Sequence, residues 1–144
     1  MPTCRYCLPR PANPNRVEVA VLRRSTLFLN RDQRFRGYCV LVYDGPHAEA
    51  LEALAAGEYS AFMADLHQAA AALRAACRPA LLNYECMGNQ MRHLHWHVVP
   101  RYPTDPRWGY PIWDGQPFEG REIFLPEAEL LALRDHIRSH LAAA

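Results

Sequence analysis

The run HLHWHVV at residues 93–99 constrains this chain more than any other feature. His93, His95 and His97 alternate with Leu94, Trp96 and Val98. Successive side chains of an extended strand point to opposite faces, so the run makes one imidazole face and one apolar face. Same-face neighbours stand about 7 Å apart, near enough for several rings to act on one bound group. A solvated face has no need of three imidazoles where Thr, Lys or Glu would serve. A neutral imidazole is a competent nucleophile near neutral pH, since its unperturbed pKa is about 6.5. Attack by one ring nitrogen on phosphorus gives a phosphoramidate intermediate and divides one difficult displacement into two easier ones. The other nitrogen must then donate to a fixed acceptor, or the wrong tautomer faces the substrate. His95, the middle ring, is the natural nucleophile, with a helper on each side.

Around this strand the chain reads as one α+β domain spanning residues 1–144. Residues 17–22, 26–30 and 38–43 are β-branched and aromatic-rich runs with short breaks, which favours antiparallel pairing. DGPH at 44–47 is a turn. A helix is expected over 59–77, with Phe62, Met63, Leu66, Ala70, Leu73 and Cys77 on one stripe and Pro79 ending it. His67, at the edge of that stripe, reads as a surface or packing residue. Residues 80–86 and 93–102 are two further strands joined by the turn MGNQMR. The last helix starts at Pro126 and carries Leu130, Leu133, Ile137 and Leu141 at helical spacing. Three prolines make 8–15 an extended loop. The long segment 103–120, with Trp108, Tyr110, Trp113 and Phe118, is either a cover over a ligand or aromatic packing on the sheet.

Composition narrows the function classes. No apolar run approaches a membrane span and the first residues lack an export signal, so neither membrane insertion nor secretion is expected. Five cysteines, an odd number, argue for a reducing, cytoplasmic setting. A net charge of +1 gives no case for nucleic-acid binding. All sixteen basic residues are arginine, which excludes a phosphate-loop lysine or a Schiff base. Eight arginines fall within residues 1–36 against only Glu18 and Asp32, which suits a phosphorylated ligand or simply a solvated surface.

The motif HLHWHVV resembles the signature of the histidine triad (HIT) superfamily, His-x-His-x-His followed by two apolar residues. Segment order along most of the chain is similar too. The resemblance implies an antiparallel sheet of about five strands with one long helix and a C-terminal helix. It implies a nucleotide hydrolase or transferase acting through His95 on the α-phosphate of a dinucleoside polyphosphate (diadenosine polyphosphate-like) or a nucleoside phosphoramidate. A nucleotidyl-histidine intermediate would form on His95, with phosphate contact from His97 and release of a nucleoside monophosphate. NRDQRFRGYCVLV places Asn30 at the nucleotide sugar, and LNYECMGNQMRHLHWH places Asn83, Asn89 and Gln90 near the phosphates. Asparagine also favours turns, so a turn-forming role is the alternative reading for Asn30, Asn83 and Asn89. Two departures stand out: FRGY lacks the Gly-His pair common before the third strand, and the turn before the triad is short. A homodimer is also implied.

CRYC sets Cys4 and Cys7 at the spacing of a zinc knuckle, which needs two more ligands to close a tetrahedron. A redox pair would need a strand before it and a helix after it, and the sequence offers neither. Two unligated thiols are the remaining alternative. Related proteins complete such a site with a His in the turn after the third strand and the first triad His. That resemblance implies a structural zinc on Cys4, Cys7, His47 and His93. Cys39, Cys77 and Cys86 read as buried small apolar residues. Two other functions compete: a nucleotide-binding or interaction module with little turnover, and a metallohydrolase holding zinc on the triad itself.

Overall fold

The computed structural model describes residues 4–7, 14–105, 107–113 and 121–142. The loop expected at 8–15 lies mostly outside these residues, as does the far part of 103–120 with Phe118. Strands β1 (Arg16–Val21), β2 (Ser25–Asn30), β3 (Cys39–Tyr43), β4 (Leu81–Glu85) and β5 (His95–Arg101) form one antiparallel sheet in the order β1-β2-β3-β5-β4. Helix α1 (Ala56–Cys77) joins β3 to the β4–β5 pair, and α2 (Glu127–Ser139) closes the chain.

Period-two alternation divides the sheet's side chains between two faces. Leu27, Leu29, Leu41 and Val98 point to one face, where Phe62, Leu66 and Leu73 of α1 and Leu130, Leu133 and Ile137 of α2 cover them. Each such side chain contributes about 1.5–3 kcal/mol on full burial. Val40, Val42 and Val99 point to the other face, packed by Phe35, Tyr38 and Ile112 rather than by a helix. That helix-free face carries the His95 and His97 side chains.

Helix α1 begins three residues before the expected start, at Ala56, with no side-chain cap to announce it. It ends at Cys77, and the next residue, Arg78, takes a left-handed backbone (φ 47°) before Pro79. A helical Arg78 would clash with the Pro79 ring. Asp65 occupies a buried place on the helix stripe. Its carboxylate accepts from the Arg24 backbone N–H (2.7 Å), the Ser25 hydroxyl (2.7 Å) and the Arg23 N–H (3.3 Å). It thereby ties α1 to the β1–β2 turn, and removing it would leave the buried Ser25 hydroxyl unmet at about 1–3 kcal/mol.

The triad strand is shorter than expected. It begins at His95, not His93, and ends at Arg101. Before it, the His93 N–H turns back to the Met91 carbonyl (2.9 Å), while Leu94 bonds through its N–H to Ala48 and through its carbonyl to Tyr43. This break takes His93 out of the alternation that His95 and His97 obey. Among the cysteines, Cys39 is buried as expected, Cys77 is half-buried, and Cys86 is exposed, contrary to expectation.

Candidate active site and metal cluster

The two ends of the histidine run face different neighbourhoods. His93 Nε2 lies 2.7 Å from the Tyr43 carbonyl, an acceptor that requires the proton to sit on Nε2. Nδ1 is therefore bare, and it stands 3.5 Å from both Cys4 Sγ and Cys7 Sγ. His47, from the turn after β3, repeats the arrangement. Its Nδ1 is 3.4 Å from Cys7 Sγ and its Nε2 is 3.3 Å from Glu49 Oε1. The four donor atoms of Cys4, Cys7, His47 and His93 lie within 4.8 Å of one another. Bonds of about 2.3 Å to sulfur and 2.0–2.1 Å to nitrogen at a tetrahedral centre put S and N roughly 3.5 Å apart. The set fits a zinc ion. An outer hydrogen bond on each imidazole, to Tyr43 and Glu49, is also what orients metal-bound histidines.

Charge in the cluster agrees with that use. Burial would raise the Cys4 thiol, but hydrogen bonds from Cys7, from backbone N–H groups and from His47 bring it below its ordinary value. Cys7 is raised by burial and by the Cys4 thiolate beside it. Burial lowers His93 and so keeps it neutral, as a ligand must be.

His95 and His97 make the second neighbourhood. His95 Nδ1 donates to the His93 carbonyl (2.6 Å), which leaves Nε2 bare. That nitrogen is 3.1 Å from His97 Nε2, so His97 must carry its proton on Nε2. His97 Nδ1 is then an acceptor, met by the Tyr38 hydroxyl at 2.7 Å. Burial holds Tyr38 well above the usual phenol range, so its O–H is a permanent donor. The chain of donors runs one way, from Tyr38 through His97 to His95. Burial first and the Arg16 charge in addition lower both imidazoles, His97 to about 3. His95 thus presents a neutral, unprotonated nitrogen whose lone pair meets only the neutral N–H of His97 among the described side chains.

Both rings open into a cleft of about 620 Å³ that Tyr6, Arg16, Tyr38 and Trp113 help to line. Of the polar residues expected there, Asn30, Asn89 and Gln90 line it. Asn83 is not among its lining residues. Its Oδ1 instead accepts from Arg101 Nη1 at 2.6 Å. Arg101, only 1% exposed, also pairs with both Asp105 oxygens (3.0 and 3.1 Å) and donates to the Tyr110 and Arg107 carbonyls. It fastens the start of the long aromatic segment to the sheet. Trp113, further along, stands with its ring 5.1 Å from His97 and its indole N–H on Glu85.

Sequence reading placed neither Tyr38 nor Tyr6 at the site, and it marked Arg16 only as one of eight arginines suited to a phosphorylated ligand. Tyr38 had one signal, since it stands where FRGY lacks the familiar histidine. The loop that delivers it is set by Gly37 at φ +85°, whose N–H donates to the Gln33 carboxamide oxygen (2.8 Å). A Cβ at Gly37 would come 2.6 Å from Cys77 Sγ, so the loop packs against the end of α1.

A family model for the HIT domain matches residues 16–104. No curated protein matches the chain in sequence. A histidine triad protein from Sinorhizobium meliloti 1021 is 24% identical, with 88% of this chain and 90% of that one covered at a TM-score of 0.79. One from Bradyrhizobium japonicum is 20% identical over 88% and 91%, also at 0.79. A third, from Marinobacter aquaeolei VT8, is 18% identical over 88% and 89% at 0.77. These structures share the five-stranded antiparallel sheet and its two helices. The match spans β1 through β5 and includes the strand whose His95 and His97 face the cleft, and the chain belongs to the histidine triad family.

Proposed function

We propose that this chain is a nucleotide hydrolase or transferase that cleaves a dinucleoside polyphosphate or a nucleoside phosphoramidate at the α-phosphorus. One observation carries the reading: two backbone and side-chain contacts fix the tautomers so that His95 Nε2 is bare toward the cleft and His97 Nε2–H stands 3.1 Å from it. A phosphoryl group entering between them meets a nucleophile and a hydrogen-bond donor together. The Nε2 lone pair of His95 forms the N–P bond, and the P–O or P–N bond to the leaving group breaks with its electrons going to that group. His97 Nε2–H and Arg16 face the non-bridging oxygens, where charge develops. Water then attacks phosphorus and sheds a proton to solvent, which balances the one the leaving group took up from solvent. The N–P electrons return to His95, and the nucleoside monophosphate leaves; with another acceptor in place of water the same step is a transfer.

Zinc on Cys4, Cys7, His47 and His93 belongs to this reading as a structural ion, because all four positions are filled by protein. His93 alone of the three triad residues faces the thiols, while the others spend their inner contacts on a carbonyl and on Tyr38. That division favours a histidine nucleophile over a triad-bound catalytic metal. Asn30, Asn89 and Gln90 would contact sugar and phosphates from the cleft wall. A homodimer, a cytoplasmic location and no nucleic-acid partner go with the reading. Light scattering checks the dimer. Among the described residues no helix is long and apolar enough to cross a membrane.

The test is a panel of dinucleoside polyphosphates and nucleoside phosphoramidates with products resolved by chromatography. A quenched reaction should yield protein heavier by one nucleotidyl group, mapped to His95. Turnover without any adduct, persisting in His95→Ala, would sink the reading.

A further inference from the structure

Cys4 and Cys7 turn toward the metal set, but the two residues between them do not. Arg5 and Tyr6 line the cleft. The Tyr6 ring stands edge-on to His93 at 5.7 Å and to His95 at 5.6 Å. Its hydroxyl accepts from Arg16 Nη1, and the Arg16 guanidinium carbon lies 5.6 Å from the ring centre. Arg16 also lines the cleft, together with His95 and His97.

Among the described residues, segment 4–7 is held outside the metal set by Tyr6, which packs on the cluster of Phe35 and Tyr38 and meets Arg16. It is a single turn, closed by the Cys7 N–H on the Cys4 carbonyl at 3.0 Å, and it belongs to no strand of the sheet. Its cysteines meet only His47 and His93 among the described side chains outside the turn. A metal that binds the four donors therefore also fixes the Tyr6 ring against His95. Without the metal, a ligand entering the cleft must order that turn itself, and the entropy of ordering is subtracted from its binding.

We propose that the metal site and the Tyr6–Arg16 wall of the cleft form one thermodynamic unit, in which metal and nucleotide bind cooperatively. The metal anchors the turn, the turn sets Tyr6, and Tyr6 holds Arg16 where it meets the nucleotide phosphate. The proposal rests on the nucleotide reading above for its ligand. Coupling between sites is reciprocal, so each ligand must raise the affinity of the other by the same factor.

The experiment measures AMP binding by calorimetry to zinc-loaded and to chelator-stripped protein, and zinc affinity by chelator competition with and without AMP. Zinc-loaded protein should bind AMP about tenfold more tightly, and AMP should raise zinc affinity by about the same factor. Tyr6→Ala keeps all four ligands. It should retain zinc, bind AMP about tenfold more weakly than the loaded wild type, and show a zinc affinity that AMP no longer changes. This comparison uses loaded protein and stands even if the stripped chain melts. Equal AMP affinity in both metal states, or coupling that survives in Tyr6→Ala, overturns the unit but leaves the nucleotide reading intact. AMP binding in neither state overturns both.

Discussion

His93 and His95 are the same residue, two positions apart, both buried, both lowered by burial, and both hydrogen-bonded to a backbone carbonyl. They differ in which nitrogen that carbonyl claims. Tyr43 takes the Nε2 proton of His93 and leaves Nδ1 for the thiols; His93 takes the Nδ1 proton of His95 and leaves Nε2 for the cleft. The cause is the backbone. Because the strand begins at His95, His93 two residues earlier turns toward the Cys4–Cys7 side rather than continuing the row. An imidazole's role is thus set by the fixed acceptor behind it, and the side-chain type alone does not decide it.

Mutation at His95 breaks the comparison with the largest effect. His95→Ala removes the nitrogen proposed to attack phosphorus and should cut kcat by on the order of 10⁶-fold, the scale seen when a nucleophile is lost. Calorimetry should find AMP affinity within about threefold of wild type, since that ligand's other contacts stay in place. Loss of binding in step with kcat would mean that His95 holds substrate rather than attacks it.

On the other side of the comparison, removal of the thiols should act mainly on stability. A Cys4→Ser, Cys7→Ser double variant should lose its zinc by elemental analysis. Metal at a hundredfold above its dissociation constant contributes about 2.7 kcal/mol, because only the folded chain presents the site. A chain of this size should then melt roughly 10 °C lower. His93→Ala should behave like the double variant and unlike His95→Ala. If His93→Ala instead keeps its metal and loses turnover as completely as His95→Ala, the two histidines do the same work.

What was legible follows the reach of each signal. Period-two alternation and the apolar runs are local, so all five strands and both helices could be read within a few residues. The start of β5 could not, because the break at His93 depends on Ala48 and Tyr43, which are distant in sequence. Asn83 was placed with the phosphates because its type and segment suited them, but the guanidinium of Arg101 captures it from the neighbouring strand. Asp65 was invisible for a related reason: a carboxylate on a buried helix stripe contradicts the pattern unless its three donors on the β1–β2 turn are known. The cysteine pair announced itself by spacing, whereas Tyr6 between them carried no signal of the ring it would meet.

A smaller effect separates the two tryptophans of the aromatic segment, which sequence reading treated alike. Trp113 lines the cleft beside His97, while Trp108 sits on the turn that Arg101 fastens and is not among the cleft residues. A ring stacked on the base of a leaving nucleotide is worth roughly 1–3 kcal/mol. Trp113→Ala should therefore shift the ratio of kcat/KM between a dinucleoside polyphosphate and a small phosphoramidate by about tenfold. Trp108→Ala should leave that ratio within about twofold and change only the melting temperature. Equal shifts from both would return the whole segment to structural packing.

The smallest expected effect tests the tautomer argument itself. Tyr38→Phe removes one oxygen, 2.7 Å from His97 Nδ1, and leaves the ring that packs with Val40 and Val99. Without that donor, only the 3.1 Å contact with His95 Nε2 still holds the His97 proton on Nε2. The alternative tautomer turns a lone pair toward both the His95 nucleophile and the incoming phosphoryl oxygens, which is repulsive in the ground state and worse as charge develops. The loss is about one neutral hydrogen bond, 0.5–1.5 kcal/mol, so kcat should fall roughly two- to tenfold with little change in KM. Nitrogen-15 chemical shifts of His97 should report a mixture of tautomers in Tyr38→Phe and a single Nε2–H form in the wild type. Tyr38→His places a ring N–H near the same site and should recover part of the rate. A Tyr38→Phe variant whose KM rises at unchanged kcat would show that the hydroxyl contacts substrate directly, and the one-way chain of donors would have to be redrawn from Arg16 inward.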